Sequence, residues 1–353
     1  MKSVIGNNII FSIFGESHGE QMGITIHNLP NGLKIDEERI NKELQRRRPE
    51  ESLSSARIEN DEYKIISGLF NSYTTGAPLT ILVNNKNYNS KTYVKGLVRP
   101  SHADYPAYVR SNGYNDYRGG GSYSGRLTVL LVIAGTICKQ ILEKNKIRIG
   151  SHIKSIGNIC DEITGANFDK VFSSQKMVSE ESYEKVKELV KDTMKKKDSL
   201  GGVVEAFICG LPVGLGEPFF DSVESVLSHY IFSIPGAKGV TFGSILEMVK
   251  GYGSNFNDEL KYENDKIVMK ANYNGGINGG LSNGNIVSCC AYFKPTPTIG
   301  IPLETVNVDT KENITYKFTG RHDTCYALRC DVVVESVIAM GILDLYLSMN
   351  VWK

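Results

Sequence analysis

Apolar positions recur with a helical period in several stretches of the chain and cluster into short strand-like runs in others. From Ser179 to Lys197, Tyr183, Val186, Val190 and Met194 return at helical spacing, which predicts an amphipathic helix with one buried face. Ser179 is suited to cap it, Glu180 and Glu181 meet the positive end of its dipole, and Lys195 to Lys197 meet the negative end. Gly201 and Gly202 follow soon after. Asp36 caps a second predicted helix, which carries Ile40 and Leu44 and is ended by Pro49. Two more continuous apolar stretches, Leu127 to Cys138 (closed by Lys139) and Asp331 to Leu347, read as buried helices. The first is too short for a bilayer span of about 20 residues. Lys64 to Phe70, Pro78 to Val83, Val203 to Cys209 and Ile286 to Phe293 read as strands bounded by turn residues. Strands scattered among helices, with no steady βαβ alternation, predict an α+β fold rather than a doubly wound parallel sheet. Neither an internal repeat of about 20–50 residues nor a low-complexity linker is evident, so residues 1–353 are expected to form a single domain.

Composition narrows the function classes. The chain has 353 residues, 41% of them hydrophobic, and a net charge of +1. A chain so nearly neutral generates no global field for nucleic acid or an anionic membrane, so anions must be bound by local clusters of cations. Met1 to Phe14 lacks the uninterrupted apolar core and cleavage site of a secretory signal. The seven cysteines are odd in number and lack zinc-type spacing, which points to a reduced cytoplasmic protein without a metal.

Four constellations carry candidate chemistry. In Arg46-Arg47-Arg48, at about 100° per residue, Arg47 lies within roughly 20° of Ile40 and Arg48 within about 40° of Leu44 on the predicted helix. No acidic run lies nearby to neutralise them, so they form either a clamp for phosphate and carboxylate or a solvated helix end. Arg118-Gly-Gly-Gly-Ser-Tyr-Ser-Gly-Arg126 runs straight into the apolar helix; its glycines let backbone N–H groups converge beside a helix N-terminus, although an ordinary glycine turn has the same appearance. It lacks the spacing of a dinucleotide fingerprint. A third, weaker region joins the glycine-rich segment Asn274 to Gly284 with Lys294-Pro-Thr-Pro-Thr298, where a backbone can approach a planar ring. Lastly, His18, His102 and His322 each sit in a polar turn-like segment, as acid–base groups or as structural histidines. A Ser-His-Asp hydrolase lacks a nucleophile-elbow sequence here.

Taken in order, these segments resemble the chorismate synthase family. The resemblance runs through Gly15-Glu-Ser-His-Gly19, Arg46-Arg-Arg-Pro49, Ser67-Gly-Leu-Phe70, Thr74-Thr-Gly-Ala-Pro78 and Arg99-Pro-Ser-His-Ala-Asp104. It continues through Leu211 to Pro218, Ile234-Pro-Gly-Ala-Lys-Gly239, Lys294-Pro-Thr-Pro297 and Gly320-Arg-His-Asp323. It implies a helical layer between antiparallel β-sheets, assembled as a homotetramer. The implied reaction is anti-1,4-elimination of phosphate and a C6 proton from 5-enolpyruvylshikimate 3-phosphate, giving chorismate. It requires reduced FMN (FMNH2) without net redox change, and NADPH is one possible reductant, a separate reductase another.

By the same resemblance, His18 protonates the leaving phosphate, His102 protonates the reduced flavin, and Asp323 lies near flavin N5 and helps to move the C6 proton. Ser17, Arg46, Arg48 and Arg126 are implied to bind substrate. Arg47, Ser122, Tyr123, Ser124, Pro235, Gly236, Gly279, Lys294, Pro295, Thr296, Pro297, Thr298 and Arg321 are implied to bind the cofactor. The chain departs from the family pattern at Glu50 and Ser101, where glycine is usual, and at Gly236, where alanine is usual. It also has Ser122-Tyr-Ser-Gly-Arg-Leu127 for Arg-Ser-Ser-Ala-Arg-Glu, and Leu53-Ser54 where an arginine is expected. Two other readings remain: a homologue that binds flavin or anions without turnover, recognised by FMN binding with no chorismate formed, and a flavin oxidoreductase, recognised by stoichiometric NADPH consumption.

Overall fold

The N-terminal third is built from short strands joined by tight turns. A computed structural model describes residues 2–53, 60–86, 89–318 and 323–349. Its first strands are Val4–Ile5 (β1), Ile10–Gly15 (β2), Gln21–His27 (β3) and Tyr63–Ser67 (β4). A small hairpin of Leu69–Phe70 (β5) and Tyr73–Thr74 (β6) precedes Leu79–Asn84 (β7). β1, β2, β3, β7 and β4 lie side by side in that order, antiparallel throughout. Leu79, Ile81 and Val83 on alternate positions of β7 are fully buried, so one face of this sheet is covered.

The second sheet takes Arg148–Ile156 (β8), Ile159–Cys160 (β9), Gly202–Cys209 (β10) and Ala237–Phe242 (β11). After the hairpins Leu260–Glu263 (β12) with Lys266–Met269 (β13) and Ile277–Asn278 (β14) with Leu281–Ser282 (β15), it is completed by Val287–Phe293 (β16). The order is β11-β16-β10-β8-β9, again antiparallel.

The helices are Glu37–Arg47 (α1), Asp104–Arg110 (α2), Thr128–Lys144 (α3), Glu180–Lys195 (α4), Val223–Ile231 (α5), Ile245–Met248 (α6) and Asp331–Met349 (α7). α3 packs on β3 of the first sheet and β8 of the second, and α7 packs on α3, β8 and β10. The fold is thus α+β, with helices held between two antiparallel sheets. Both helices are apolar nearly all round, as a fully enclosed helix must be. By length and composition they would suit a membrane, yet 72% of the α3 span and 78% of the α7 span are buried inside the fold. They cross at Gly135, where a Cβ would stand 2.3 Å from Ser336 Cα, so only glycine permits this approach. One connected core of buried side chains extends from Ile9 to Leu345.

The predicted helices are present with their caps. Ser179 Oγ accepts from Ser182 N at 3.2 Å, and Asp36 Oδ1 accepts from Arg39 N at 2.9 Å. Three features differ from expectation. The run Lys64 to Phe70 is broken by Gly68 at φ 80°, which turns the chain out of β4 and into β5. The strands β1 to β3 had no counterpart in the sequence reading. Lys139 does not close an apolar run at a solvated end: α3 continues past it to Lys144, and its ammonium is buried against Glu335 and Glu43.

Candidate active site

Loops from both sheets and the segments leading into α3 and α7 enclose a cleft of about 760 Å³. That lies within the roughly 300–1,000 Å³ usual for small-molecule sites. Its walls come from residues 17–18, the end of α1, residues 99–104, the loop before α3, residues 232–238, residues 294–298 and the segment before α7.

The glycine-rich loop forms one wall. Gly119, Gly120 and Gly121 have φ of 61°, 82° and 53°, a left-handed run that suits glycine alone. A Cβ at Gly119 would meet His18 Nε2 at 2.5 Å and Ser17 Oγ at 2.9 Å, so the loop must be bare to lie against Ser17 and His18. Ser17 N donates to Gly121 O at 3.1 Å and ties the two segments together. Ser124 Oγ then accepts from Arg126 N at 3.3 Å and caps the short turn that leads into α3.

The acid–base candidates face this same space. His18 is buried, with Nδ1 2.9 Å from Ser90 Oγ and its ring edge-on to Tyr93. His102 places Nε2 2.5 Å from Thr298 Oγ1. Asp323 Oδ2 accepts from Arg329 Nη1 at 2.9 Å. All three line the cleft, together with Ser17, Ser122 to Ser124, Pro235, Gly236 and Lys294 to Thr298. Ser101, where the family usually has glycine, adopts φ 59°, and its carbonyl accepts from Lys294 Nζ at 2.6 Å. Burial, with some help from the charge of Lys238, lowers the pKa of Lys294.

The arginines divide. Arg47 is buried on the apolar stripe of α1, as its helical position predicts, and donates from Nη2 to Asp61 Oδ2 at 3.0 Å. Arg126 donates from Nη1 to the other oxygen of Asp61 and from Nε to Asn85 Oδ1 at 3.2 Å. Burial lowers the pKa of Arg47 to about 10 despite Asp61, with Arg329 and Arg126 adding to the decrease. Burial pushes the Asp61 carboxyl up, but Arg47 and Arg126 outweigh it and hold it below its usual range. Arg48 donates to the carbonyl of Asn60 and also lines the cleft.

Arg46 is different. It is not part of the cleft lining, because its guanidinium turns into the core and meets Glu335 at 2.7 Å, Asp331 at 3.1 Å and Glu43 at 2.8 Å. With Lys139 and Lys176 these carboxylates form a balanced network of three cations and three anions. The sequence reading looked for acids beside the arginines; α7 supplies two of them from 285 and 289 positions away. Gly279, in the turn between β14 and β15, is likewise outside the cleft lining, and Arg321 and His322 lie outside the described residues.

Several residues of the cleft and its support escaped the sequence reading. Asp61, Tyr326 and Arg329 in the lining, and Asn85 behind it, are single polar residues in unremarkable contexts, although Arg329 follows the Gly320 to Asp323 motif closely. Asn85 also donates to the carbonyls of Glu16 and Gly19, at 3.2 Å and 2.9 Å, and so links the His18 turn to Arg126. Seven Lys and Arg side chains and three carboxylates line the cleft, an excess of four positive charges in a chain whose net charge is +1. All seven cysteines are free, and among the described residues no cluster of His, Cys, Asp and Glu is placed to hold a metal ion.

Such concentrated positive charge beside two histidines and a carboxylate suits an enzyme whose substrate is a small oxyanionic molecule. Comparison with known proteins gives the family: residues 9–347 match the family model described as chorismate synthase, and the chain belongs to that family. It is therefore a carbon–oxygen lyase acting on phosphates, with chorismate synthase function in the shikimate pathway. The chain is 41% identical to a chorismate synthase of Pyrococcus abyssi, over 99% of this chain and 98% of that one. It is 40% identical to one of Korarchaeum cryptofilum, over 97% and 96% of the two chains. A solved structure titled as a crystal structure of chorismate synthase superposes with a TM-score of 0.77 at 25% identity, covering 98% of this chain and 93% of that chain.

Proposed function

We propose that the chain carries out the anti-1,4-elimination of phosphate from 5-enolpyruvylshikimate 3-phosphate in this cleft, with reduced FMN bound beside the substrate. The observation that carries the reading is the local charge excess of four. A phosphate monoester brings about −1.5 to −2 at neutral pH. With its two carboxylates the substrate therefore carries close to −4, and the FMN phosphate adds to that load, so a cleft for both needs a cation excess of this kind. Unpaired buried donors support the same reading: Arg47 Nε, Arg48 Nε and Thr296 Oγ1, all in lining residues, have no hydrogen-bond partner among the described residues.

The residues present also fit a flavin. Pro235, Gly236, Pro295 and Pro297 form a wall with little polar side-chain surface for a planar ring, and Lys294 and Thr296 to Thr298 put polar groups at its rim. When bound in its reduced form, FMN supplies an electron-rich ring beside the reacting carbons with no net redox change. Ser122, Tyr123, Ser124 and Arg47, which line the same cleft, would complete its contacts, while Gly279 and Arg321 would join them by resemblance alone. In the proposed mechanism Arg48 and Arg126 hold the oxyanions, His18 hands a proton to the leaving phosphate, and Ser17 keeps that turn in place. His102, held through Nε2 by Thr298, would stand as the proton donor facing the flavin, and Asp323 would be the carboxylate that helps to move the C6 proton. We further propose one domain spanning the chain, a cytoplasmic location, NADPH as a possible reductant, and a homotetramer. Phe219, Phe220, Val249 and Tyr252, between 71% and 91% exposed, support an assembly.

The test is chorismate formation under anaerobic conditions with chemically reduced FMN. Chorismate and phosphate in equal amounts, with the flavin still reduced, are expected. No product from a folded protein that binds FMN would overturn the proposal, as would consumption of one NADPH per product.

A further inference from the structure

One polar group in the cleft has no part in the mechanism above. The Tyr326 hydroxyl is buried and makes no hydrogen bond among the described residues, although its residue lines the cleft. A buried hydroxyl with no partner costs free energy, so native proteins seldom keep one. The ring is closely held. It packs against the buried core, its edge meets Phe293 at a centroid distance of 6.2 Å, and two glycines lie against it. A Cβ at Gly125 would lie 3.2 Å from both Tyr326 Oη and Cε2, and a Cβ at Gly236 would lie 3.5 Å from Cδ1. Both glycines replace the alanine usual in the family, and at Gly125 the missing methyl is what gives the phenol room.

We propose that Tyr326 is a ligand-binding residue: its O–H donates a hydrogen bond to a carbonyl or oxyanion oxygen of the molecule bound in the cleft. The inference rests on the function proposed above and adds a residue to it. A phenol suits this place better than another cation. Burial raises the pKa of Tyr326, so the group stays a neutral donor at physiological pH and adds no charge beside Arg47 and Arg329. The acceptor is either a ring carbonyl of the flavin or an oxygen of the substrate, and both present the same chemistry to the O–H.

Tyr326→Phe removes the oxygen and keeps the ring. Three measurements on the full chain separate the cases: oxidised FMN binding by fluorescence quenching, calorimetric binding of 5-enolpyruvylshikimate 3-phosphate with FMN present, and thermal unfolding without ligand. One dissociation constant is expected to rise about five- to tenfold, the loss of one hydrogen bond. A rise for FMN assigns the acceptor to the flavin, and a rise for the phosphate ester alone assigns it to the substrate. The ligand-free protein is expected to melt at the same temperature or higher, because the deleted group had no partner. Both constants within twofold of wild type, or a ligand-free midpoint several degrees lower, would overturn the inference and make Tyr326 a packing residue. Neither binding measurement needs turnover, so failure of wild type to form chorismate would count against the function and leave the Tyr326 result to be read separately.

Discussion

Asp61 stands between two guanidinium groups of the cleft, and replacing it with asparagine tests how the positive charge there is held. Asp61→Asn leaves Arg47 and Arg126 in place but removes the carboxylate that both contact. Breaking a buried ion pair from one side costs about 3–5 kcal/mol. An unfolding entropy near 2.1 cal/mol/K per residue gives about 0.7 kcal/mol/K for a chain this long. The midpoint of thermal unfolding should therefore fall by about 4–7 °C in the absence of ligand. The variant also raises the cleft's charge excess by one, so inorganic phosphate should protect it more strongly than it protects wild type. The pH dependence has a definite sign. Because Arg47 and Arg126 hold the Asp61 carboxyl below its usual range, its contribution is fully present above about pH 4 and fades as the pH falls through the lower folded value. The two proteins should thus differ at neutral pH and converge only in acid. Scanning calorimetry at several pH values, with and without phosphate, reads all three effects. A variant that melts within a degree of wild type at neutral pH, or that phosphate protects no better, would refute this account.

His102→Ala and Asp323→Asn should each lower turnover about 100- to 10,000-fold while leaving circular dichroism unchanged; near wild-type rates in folded protein would remove them from the acid–base roles. Glu335→Gln should destabilise by about 3–5 kcal/mol in thermal or urea unfolding, since Arg46 and Lys139 lose a fully buried partner. Burial works against ionisation of Glu335, but Arg46 and Lys139 outweigh it and hold its pKa well below the usual range, so this difference too should shrink only as the pH falls below about 4. Gly135→Ala should cost about 1–3 kcal/mol or more in the same assay, because the added carbon would overlap the backbone of Ser336.

What the sequence made legible was what short-range chemistry controls. Helix α4 announces itself through Ser179, its terminal charges and its apolar spacing, and α1 does so through Asp36 and Pro49. The buried position of Arg47 follows from helical phase alone. Family motifs located most of the cleft, because its segments are short and order-specific. Pairing across long separations was invisible. Arg46 looked like a ligand group because its neighbours in sequence are cations, and nothing local to it reveals that α7 brings Asp331 and Glu335 to it. Asp61 sits in a polar stretch where a carboxylate carries no signal, and only the fold turns it toward Arg47 and Arg126. The strands β1 to β3 were hidden for a related reason: Gly6, Asn7 and Asn8 punctuate short apolar runs whose pairing is settled by partners farther along the chain.

The contact between Gly135 and Ser336 also sets the scale of the active site. Seven residues, about 10 Å of helix, separate Gly135 from the start of α3 and the loop bearing Arg126, and five residues, about 7.5 Å, separate Ser336 from the start of α7 and the segment bearing Asp323 and Arg329. The two helices therefore act as rigid arms packed against each other and closest at this crossing, with Arg126 beyond one tip and Asp323 and Arg329 beyond the other. The distance between those tips is thus set largely by helix packing in the core and less by the loops. Widening the cleft for a bulkier molecule is therefore a task for side chains at the tips, whereas a change at the crossing would shift both cleft walls at once.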